Sequence, residues 1–279
     1  MNNPYIKLVK NKDASDIFDL VHPRFTAQIS KFGGHLLAFK PTNQEQWLWL
    51  STSAKLDGSK PIRGGVPLCW PWFGPATGEF EGEPQHGYIR SLDWELILVE
   101  GDDKALTVRL SPIMPSELKE RLGLDVFVEY KFSNKLKISL VTTNVSETPR
   151  PLSQAIHTYF RVDDIHNTEI IGLDNCQFAD KLTKESKQQV SDIKIDQSVD
   201  RVYVTDQPDL SCKTNTTTRL ISGAGHDSIV VWNPWKELAK DIPDFDDNGY
   251  LNMVCIEMAN TQGFILAPGK THKLKQNIR

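Results

Sequence analysis

The sequence predicts an all-β protein: one large antiparallel β-sandwich with a few short helices, spanning residues 1–279 as a single domain. Three observations point there. Short segments in which apolar and polar residues alternate recur along the chain, as at 106–110 (LTVRL) and 126–132 (VFVEYKF); this is the period of a strand with one buried face. Residues that favour turns separate these segments. Helix signals are confined to two brief stretches, and the strand–helix alternation that builds a parallel sheet is missing.

In chain order, residues 5–40 read as short strands. Ile17, Phe18, Leu20, Phe25, Ala27 and Ile29 alternate in part, and Gly33-Gly34 marks a turn before HLLAF. Trp47-Leu48-Trp49-Leu50 is a further short apolar run. Residues 94–100 (WELILVE) lead into a turn at Gly101-Asp102-Asp103, followed by the alternation of 106–110. Segments 126–132 and 136–140 (LKISL) flank Ser133-Asn134, which predicts a hairpin. Residues 141–146 extend its second strand. Pro115 suits the first helical position of a short helix over 115–122. Residues 234–242 predict a second helix, with Asn233 as N-cap and Pro243 as its stop. The polar 180–200 segment reads as a loose excursion, not a domain boundary. GAG at 223–225 and GG at 64–65 match neither a dinucleotide fingerprint nor a phosphate loop.

With 39% hydrophobic and 24% charged residues, the chain has a soluble globular balance. A net charge of -4 does not advertise nucleic-acid or membrane binding. An anionic ligand therefore needs a local basic cluster. The opening MNNPYIKLVKNKD has no apolar core of a secretory signal. No run of about 18 apolar residues is present to span a membrane. The expected setting is the cytoplasm. Cys69, Cys176, Cys212 and Cys255 lie far apart with no CxxC, and are expected as free, buried thiols.

Residues 63–90 (RGGVPLCWPWFGPATGEFEGEPQHGYIR) stand out. Gly and Pro are too frequent for a regular helix, and aromatics too frequent for a solvated linker. The segment predicts a long ordered loop, pinned by its own aromatics and carrying polar groups to a fixed place. Arginine opens and closes it, with Gln85 and His86 inside.

Seven histidines are present. His22, His35, His166, His226 and His272 have no evident partners and read as surface or turn residues. His86, in QHGYIR, and His157, in SQAIHTYFRVDD, are candidates for function, each set against the plainer reading of a satisfied core histidine. Glu257, in MVCIEMAN, is a carboxylate inside an apolar strand, where burial raises a carboxyl pKa toward the range of a useful base. Alternation puts Val254, Ile256 and Met258 on one face, with Cys255 and Glu257 on the other. A Glu on a solvated face therefore stays open. Asp200, followed by Arg201, reads by itself as a turn aspartate or a local ion pair.

Taken together, RGGVPLCWPWFG, QHGYIR, HTYFRV, VDRVY, VVWNPW and VCIEMAN resemble, in order and spacing, the hexose-6-phosphate 1-epimerases. These are the phosphosugar branch of the galactose-mutarotase-like proteins. The resemblance runs from about residue 20 to residue 270. It implies a large antiparallel sandwich with the active site in a concave face of one sheet. Residue by residue, it implies His157 and Glu257 as the catalytic pair and His86 as a second active-site histidine. It also implies Arg63, Gln85 and Arg90 as substrate-binding residues and Asp200 as a sugar-binding aspartate.

The chemistry so implied is anomer exchange of a hexose 6-phosphate, glucose 6-phosphate foremost. It uses no metal and no cofactor, and the expected state is a monomer with a small-molecule substrate. Glu257 is expected as base and His157 as acid, with His86 near the ring oxygen. Their mutual attraction should raise the His157 pKa and lower that of Glu257. Arg63 and Arg90 are expected to fork onto the phosphate, unless one pairs with Glu79, Glu81 or Glu83. Trp70, Trp72, Phe73, Tyr88, Tyr159 and Trp232 serve the core or stack on the sugar. Two rivals remain. His86, His157 and Glu257 resemble a His₂Glu zinc site, although no compact ligand pair such as HExxH supports it. A non-catalytic sugar-phosphate-binding module on the same fold is the other.

Overall fold

The structure, a computed structural model, describes residues 3–279. Its strands form three antiparallel sheets. A four-stranded meander, Ile6–Val9, Ile17–His22, Phe25–Ser30 and His35–Pro41, opens the chain. A nine-stranded sheet has Thr218–Ala224, Thr271–Ile278, Leu136–Asn144 and Leu124–Phe132 at its middle. The sheet that carries the site is assembled from distant parts of the chain. Its order is Glu185–Gln188, Gln177–Asp180, Val199–Val204, Ser228–Asn233, Met253–Leu266, Arg150–Ile156 and Leu68–Cys69, with Tyr159–Arg161 also paired to Met253–Leu266.

One apolar cluster takes side chains from all three sheets, among them Phe25, Phe39, Tyr130, Leu140, Ile156, Val231, Ile256 and Leu274. The sheets therefore face each other across a shared core, as the alternating sequence requires. The hairpin around Ser133-Asn134 forms, with Phe132 opposite Leu136. Buried polar groups tie the layers together. Gln276 Nε2–H donates to the Ile256 carbonyl at 2.9 Å while Gln276 Oε1 accepts from Thr158 Oγ1. Trp70 Nε1–H donates to Thr142 Oγ1 at 2.9 Å.

Four local expectations are corrected. The first helix is Ser116–Leu122, with Pro115 at the N-cap rather than inside and Gly123 closing it in the left-handed region at φ 61°. The second is Trp235–Asp241, with Pro234 in the N-cap place; Asn233 still contributes, its Oδ1 accepting the Trp235 N–H at 2.8 Å. The 180–200 segment is not a loose excursion. It supplies the exposed Glu185–Gln188 edge strand and Ile193–Lys194, because an edge strand need not bury an apolar face. Among the five histidines read as surface or turn residues, His22, His35 and His226 are buried.

Candidate active site

The cavity-facing side of the site-bearing sheet is organised by register. Antiparallel residues directly opposite one another share a face. Asp200 pairs with Trp232, Trp232 with Cys255, and Cys255 with Tyr159. In the next row Val202 pairs with Val230, and Val230 with Glu257. His157 lies between the pairs Ile156–Met258 and Tyr159–Cys255. Both keep one register, so His157 stands opposite Glu257. This explains their contact, Nδ1 to Oε1 at 3.3 Å. The other face of the Met253–Leu266 strand sends Val254, Ile256 and Met258 into the core, as alternation predicts. The Glu257 face is not open to solvent at a sheet surface, however. Glu257 is 1% exposed, at the floor of a cavity.

Residues 63–90 form the adjoining wall. Leu68–Cys69 pairs with Ala155 and Ile156, and the Trp70–Pro71 peptide is cis. The chain then loops out and returns alongside itself: Trp70 N–H donates to the His86 carbonyl at 3.2 Å, and Tyr88 N–H to the Trp70 carbonyl at 3.0 Å. Gly87 is required at this crossing. Its φ is +72°, and a Cβ there would lie 1.9 Å from the Trp70 carbonyl oxygen. Aromatics pin the loop as expected: Trp70 is fully buried, and Trp72 stacks on Phe80 with centroids 4.8 Å apart.

The crossing also fixes His86. Its Nδ1 accepts the Gly74 N–H at 3.0 Å, which makes Nε2–H the free donor of a neutral ring. Burial, then the charges of Arg90 and Arg63, push its pKa down to about 3. His35 lies behind the loop, bonded to the Gly64 carbonyl at 2.7 Å, with burial pushing it down to about 4.

All seven expected residues, Arg63, Gln85, His86, Arg90, His157, Asp200 and Glu257, line one cavity of about 720 Å³. Arg63 and Arg90, at opposite ends of the loop, thus reach the same space. Neither pairs with Glu79, Glu81 or Glu83; Arg121 takes Glu83 at 3.0 Å. Arg63 instead meets Asp244, with Nε and Nη2 each 3.3 Å from Oδ1, and its Nη1 donates to the Tyr159 hydroxyl at 3.3 Å. Arg90 donates from Nη2 to the Gln85 carbonyl at 2.7 Å. Among the described residues it has no carboxylate partner. Burial raises the pKa of Asp200, partly offset by Lys181 at the same cavity. Sequence reasoning missed Lys181 at the cavity and Asp244 behind Arg63, and it named Tyr159 only as a core or sugar-stacking aromatic, not as a hydrogen-bond partner of Arg63. Asp244 carried a weak signal, as one acid in the run PDFDD before Gly249.

The electrostatics of the central pair reverse the sequence expectation. His157 is held well below the usual imidazole range, by burial first and then by His86, Arg90 and Arg63. Glu257 is held well above the usual carboxyl range, by burial first and then by Asp200. Desolvation outweighs attraction across 3.3 Å, so burial favours neutral imidazole beside neutral carboxyl. His157 Nδ1 and Glu257 Oε2 have no hydrogen-bond partner, which leaves polar capacity for a ligand. The metal-like grouping differs from the expected one: it is His157, Cys255 and Glu257, with donor atoms within 4.8 Å of one another. The Nδ1 of His86 is already engaged. Tetrahedral zinc with bonds of about 2.0–2.3 Å would draw such donors closer together, and burial keeps the Cys255 thiol protonated.

A buried imidazole and carboxyl 3.3 Å apart in a polar cavity of a β-sandwich form a grouping able to exchange protons with a small polar molecule. A sequence profile of the aldose 1-epimerase family matches residues 16–279, and the chain belongs to that family of isomerases. It is 33% identical over 254 residues to an Escherichia coli K12 protein named "Putative glucose-6-phosphate 1-epimerase", covering 88% of this chain and 84% of that one. A Cenchrus ciliaris protein of the same name is 30% identical over 292 residues, covering 96% and 85%. The crystal structure of a "putative mutarotase (YeaD)" from Salmonella typhimurium superposes with a TM-score of 0.91 at 28% identity, covering 100% of this chain and 94% of that one. Among the described residues, no helix is long and apolar enough to cross a membrane.

Proposed function

We propose that this epimerase interconverts the α and β anomers of a hexose 6-phosphate, with glucose 6-phosphate the first substrate to test. The observation that carries the reading is the pairing of His157 and Glu257 at 3.3 Å on the floor of a cavity that Arg63 and Arg90 also line. The names of the relatives support the same substrate class.

Anomer exchange opens a hemiacetal and closes it again. The base takes the C1 hydroxyl proton, the C1–O5 bond breaks as C1=O forms, and the acid protonates O5. After rotation about C1–C2 the two roles reverse. Glu257 serves as base and His157 as acid in the opening direction. That requires carboxylate beside imidazolium. Neutral carboxyl beside neutral imidazole holds the same single proton, so one transfer between His157 and Glu257 interconverts the two forms. A sugar hydroxyl hydrogen-bonded to these two groups favours the charged form. The His86 Nε2–H is available to the ring oxygen. Arg63, Arg90 and Gln85 hold the phosphate, and Asp200 accepts from sugar hydroxyls.

The test is NMR exchange between α- and β-glucose 6-phosphate, run beside free glucose and with His157→Ala as control. Exchange above the buffer rate, faster on the phosphorylated sugar and abolished by His157→Ala, is the expected result. Exchange at the buffer rate for every hexose 6-phosphate tried overturns the proposal.

A further inference from the structure

Arg63 and Arg90 are held in different ways, and the difference has a source outside the loop. Asp244 lies between the Trp235–Asp241 helix and the 3₁₀ turn Gly249–Asn252. It is 3% exposed, and its only ionic partner among the described residues is Arg63. Its neighbours fasten it on either side. Phe245 is buried against Trp49, with centroids 4.7 Å apart. Asp246 accepts from the Thr52 N–H at 2.9 Å, the Thr52 hydroxyl at 2.5 Å and the Ser53 hydroxyl at 3.2 Å. Ser51, just before them, donates its N–H to the Arg63 carbonyl at 3.2 Å. The segment carrying Asp244 and the backbone carrying Arg63 are therefore docked on one another.

A guanidinium has five N–H donors in a fixed plane. Arg63 spends Nε and one side of Nη2 toward Asp244, and one N–H of Nη1 on Tyr159. One N–H on each terminal nitrogen stays free to donate to an oxyanion. Burial of an unpaired guanidinium is costly, and Arg90 bears that cost without a carboxylate. Arg63 does not.

We infer that Asp244 is a positioning residue for anion recognition: it sets the Arg63 fork toward the cavity and neutralises it, leaving Arg90 as the net cation that meets the ligand. This rests on the proposed role of the two arginines, deepening it to a residue remote from the loop. A long arginine without such an anchor has many rotamers to lose on binding, so the anchor acts on affinity and not on proton transfer.

The experiment measures exchange kinetics for Asp244→Ala, Asp244→Asn, Arg63→Ala and the Arg63→Ala/Asp244→Ala double variant, with glucose 6-phosphate and with free glucose. Asp244→Ala should raise KM for glucose 6-phosphate about tenfold, with kcat and the rate on free glucose unchanged. The double variant should be no worse than Arg63→Ala. Asp244→Asn, which keeps an acceptor for Arg63, should stay within about threefold of wild type, with a steeper salt dependence because the rim gains one positive charge. It decides the matter if the alanine variant fails to fold. Equal losses on free glucose, a further loss in the double variant, or an asparagine variant impaired tenfold or more would overturn the inference. If Arg63→Ala and Arg90→Ala both leave KM unchanged, the arginine reading itself fails. If they raise it and Asp244→Ala does not, only the role of Asp244 fails.

Discussion

On the floor of the cavity, His157 and Glu257 sit beside Val202 and Val230, and burial drives both toward their neutral forms. On its rim, Arg63 and Arg90 keep their charge, because an arginine starts too high for burial to neutralise it near pH 7. The two regions belong to one cavity, yet they use opposite physics. The floor needs groups whose proton is easily moved, which calls for pKa values driven together from their usual places. The rim needs groups that never titrate, which calls for guanidinium. On the proposed roles, the chemistry and the substrate choice of this site are separable. Variants of the floor should change kcat, and variants of the rim should change KM.

The largest expected effect tests the floor. Glu257→Gln keeps the shape of the side chain but cannot accept the proton. It should lower kcat by at least ~100-fold, the usual worth of a positioned general base, while KM for glucose 6-phosphate stays near wild type. NMR exchange rates on the purified variant check this. Near wild-type exchange would remove Glu257 from the mechanism and break the comparison at its stronger side.

A smaller effect tests the rim. Arg90→Ala removes the cation that lacks a carboxylate partner. It should raise KM for glucose 6-phosphate by about 10–100-fold, as expected for losing a charge-assisted contact, and leave free glucose almost unaffected. Equal losses on both sugars would show that Arg90 supports the fold of the loop, through its bond to the Gln85 carbonyl, and not the phosphate.

The sequence made the sandwich legible because alternation is local: residues 126–132 and 136–140 reveal their hairpin from adjacent positions alone. The candidate residues were legible one at a time, through Glu257 in an apolar strand and the arginines at the loop ends. Their meeting was not. His157 faces Glu257 because two non-adjacent strands share a register, which no local pattern encodes. The partner of Arg63 lies 181 residues away in the chain, and an acid within the loop was the natural guess. The 180–200 segment misled because a polar edge strand and a polar loop have the same composition. The pKa directions of the pair were misjudged for a related reason. Attraction between an acid and a base can be read from their identities, whereas desolvation depends on burial, which only the fold supplies.

A last test carries the contrast from activity to stability. His35 and His86 are held down to about 4 and about 3, and His157 also lies below 6.5. Below pH 6.5 the unfolded chain binds protons on these imidazoles that the folded chain refuses, so folding stability falls as pH drops. Glu257 works the other way. Its raised pKa means that above about pH 4.5 the folded chain keeps a proton that the unfolded chain releases, so its contribution falls as pH rises. Between pH 6.5 and 4.5 the terms from His157 and Glu257 therefore oppose each other, while His35 and His86, joined by His226 and His272, which burial also holds down, all act in one direction. Each adds a slope of up to about 1.4 kcal/mol per pH unit, while the arginines add none. Urea unfolding at pH 7, 6 and 5 should show the midpoint falling steadily with acidification. A flat profile would mean that the folded protein accepts protons on these rings, and that they are wetter than their burial implies.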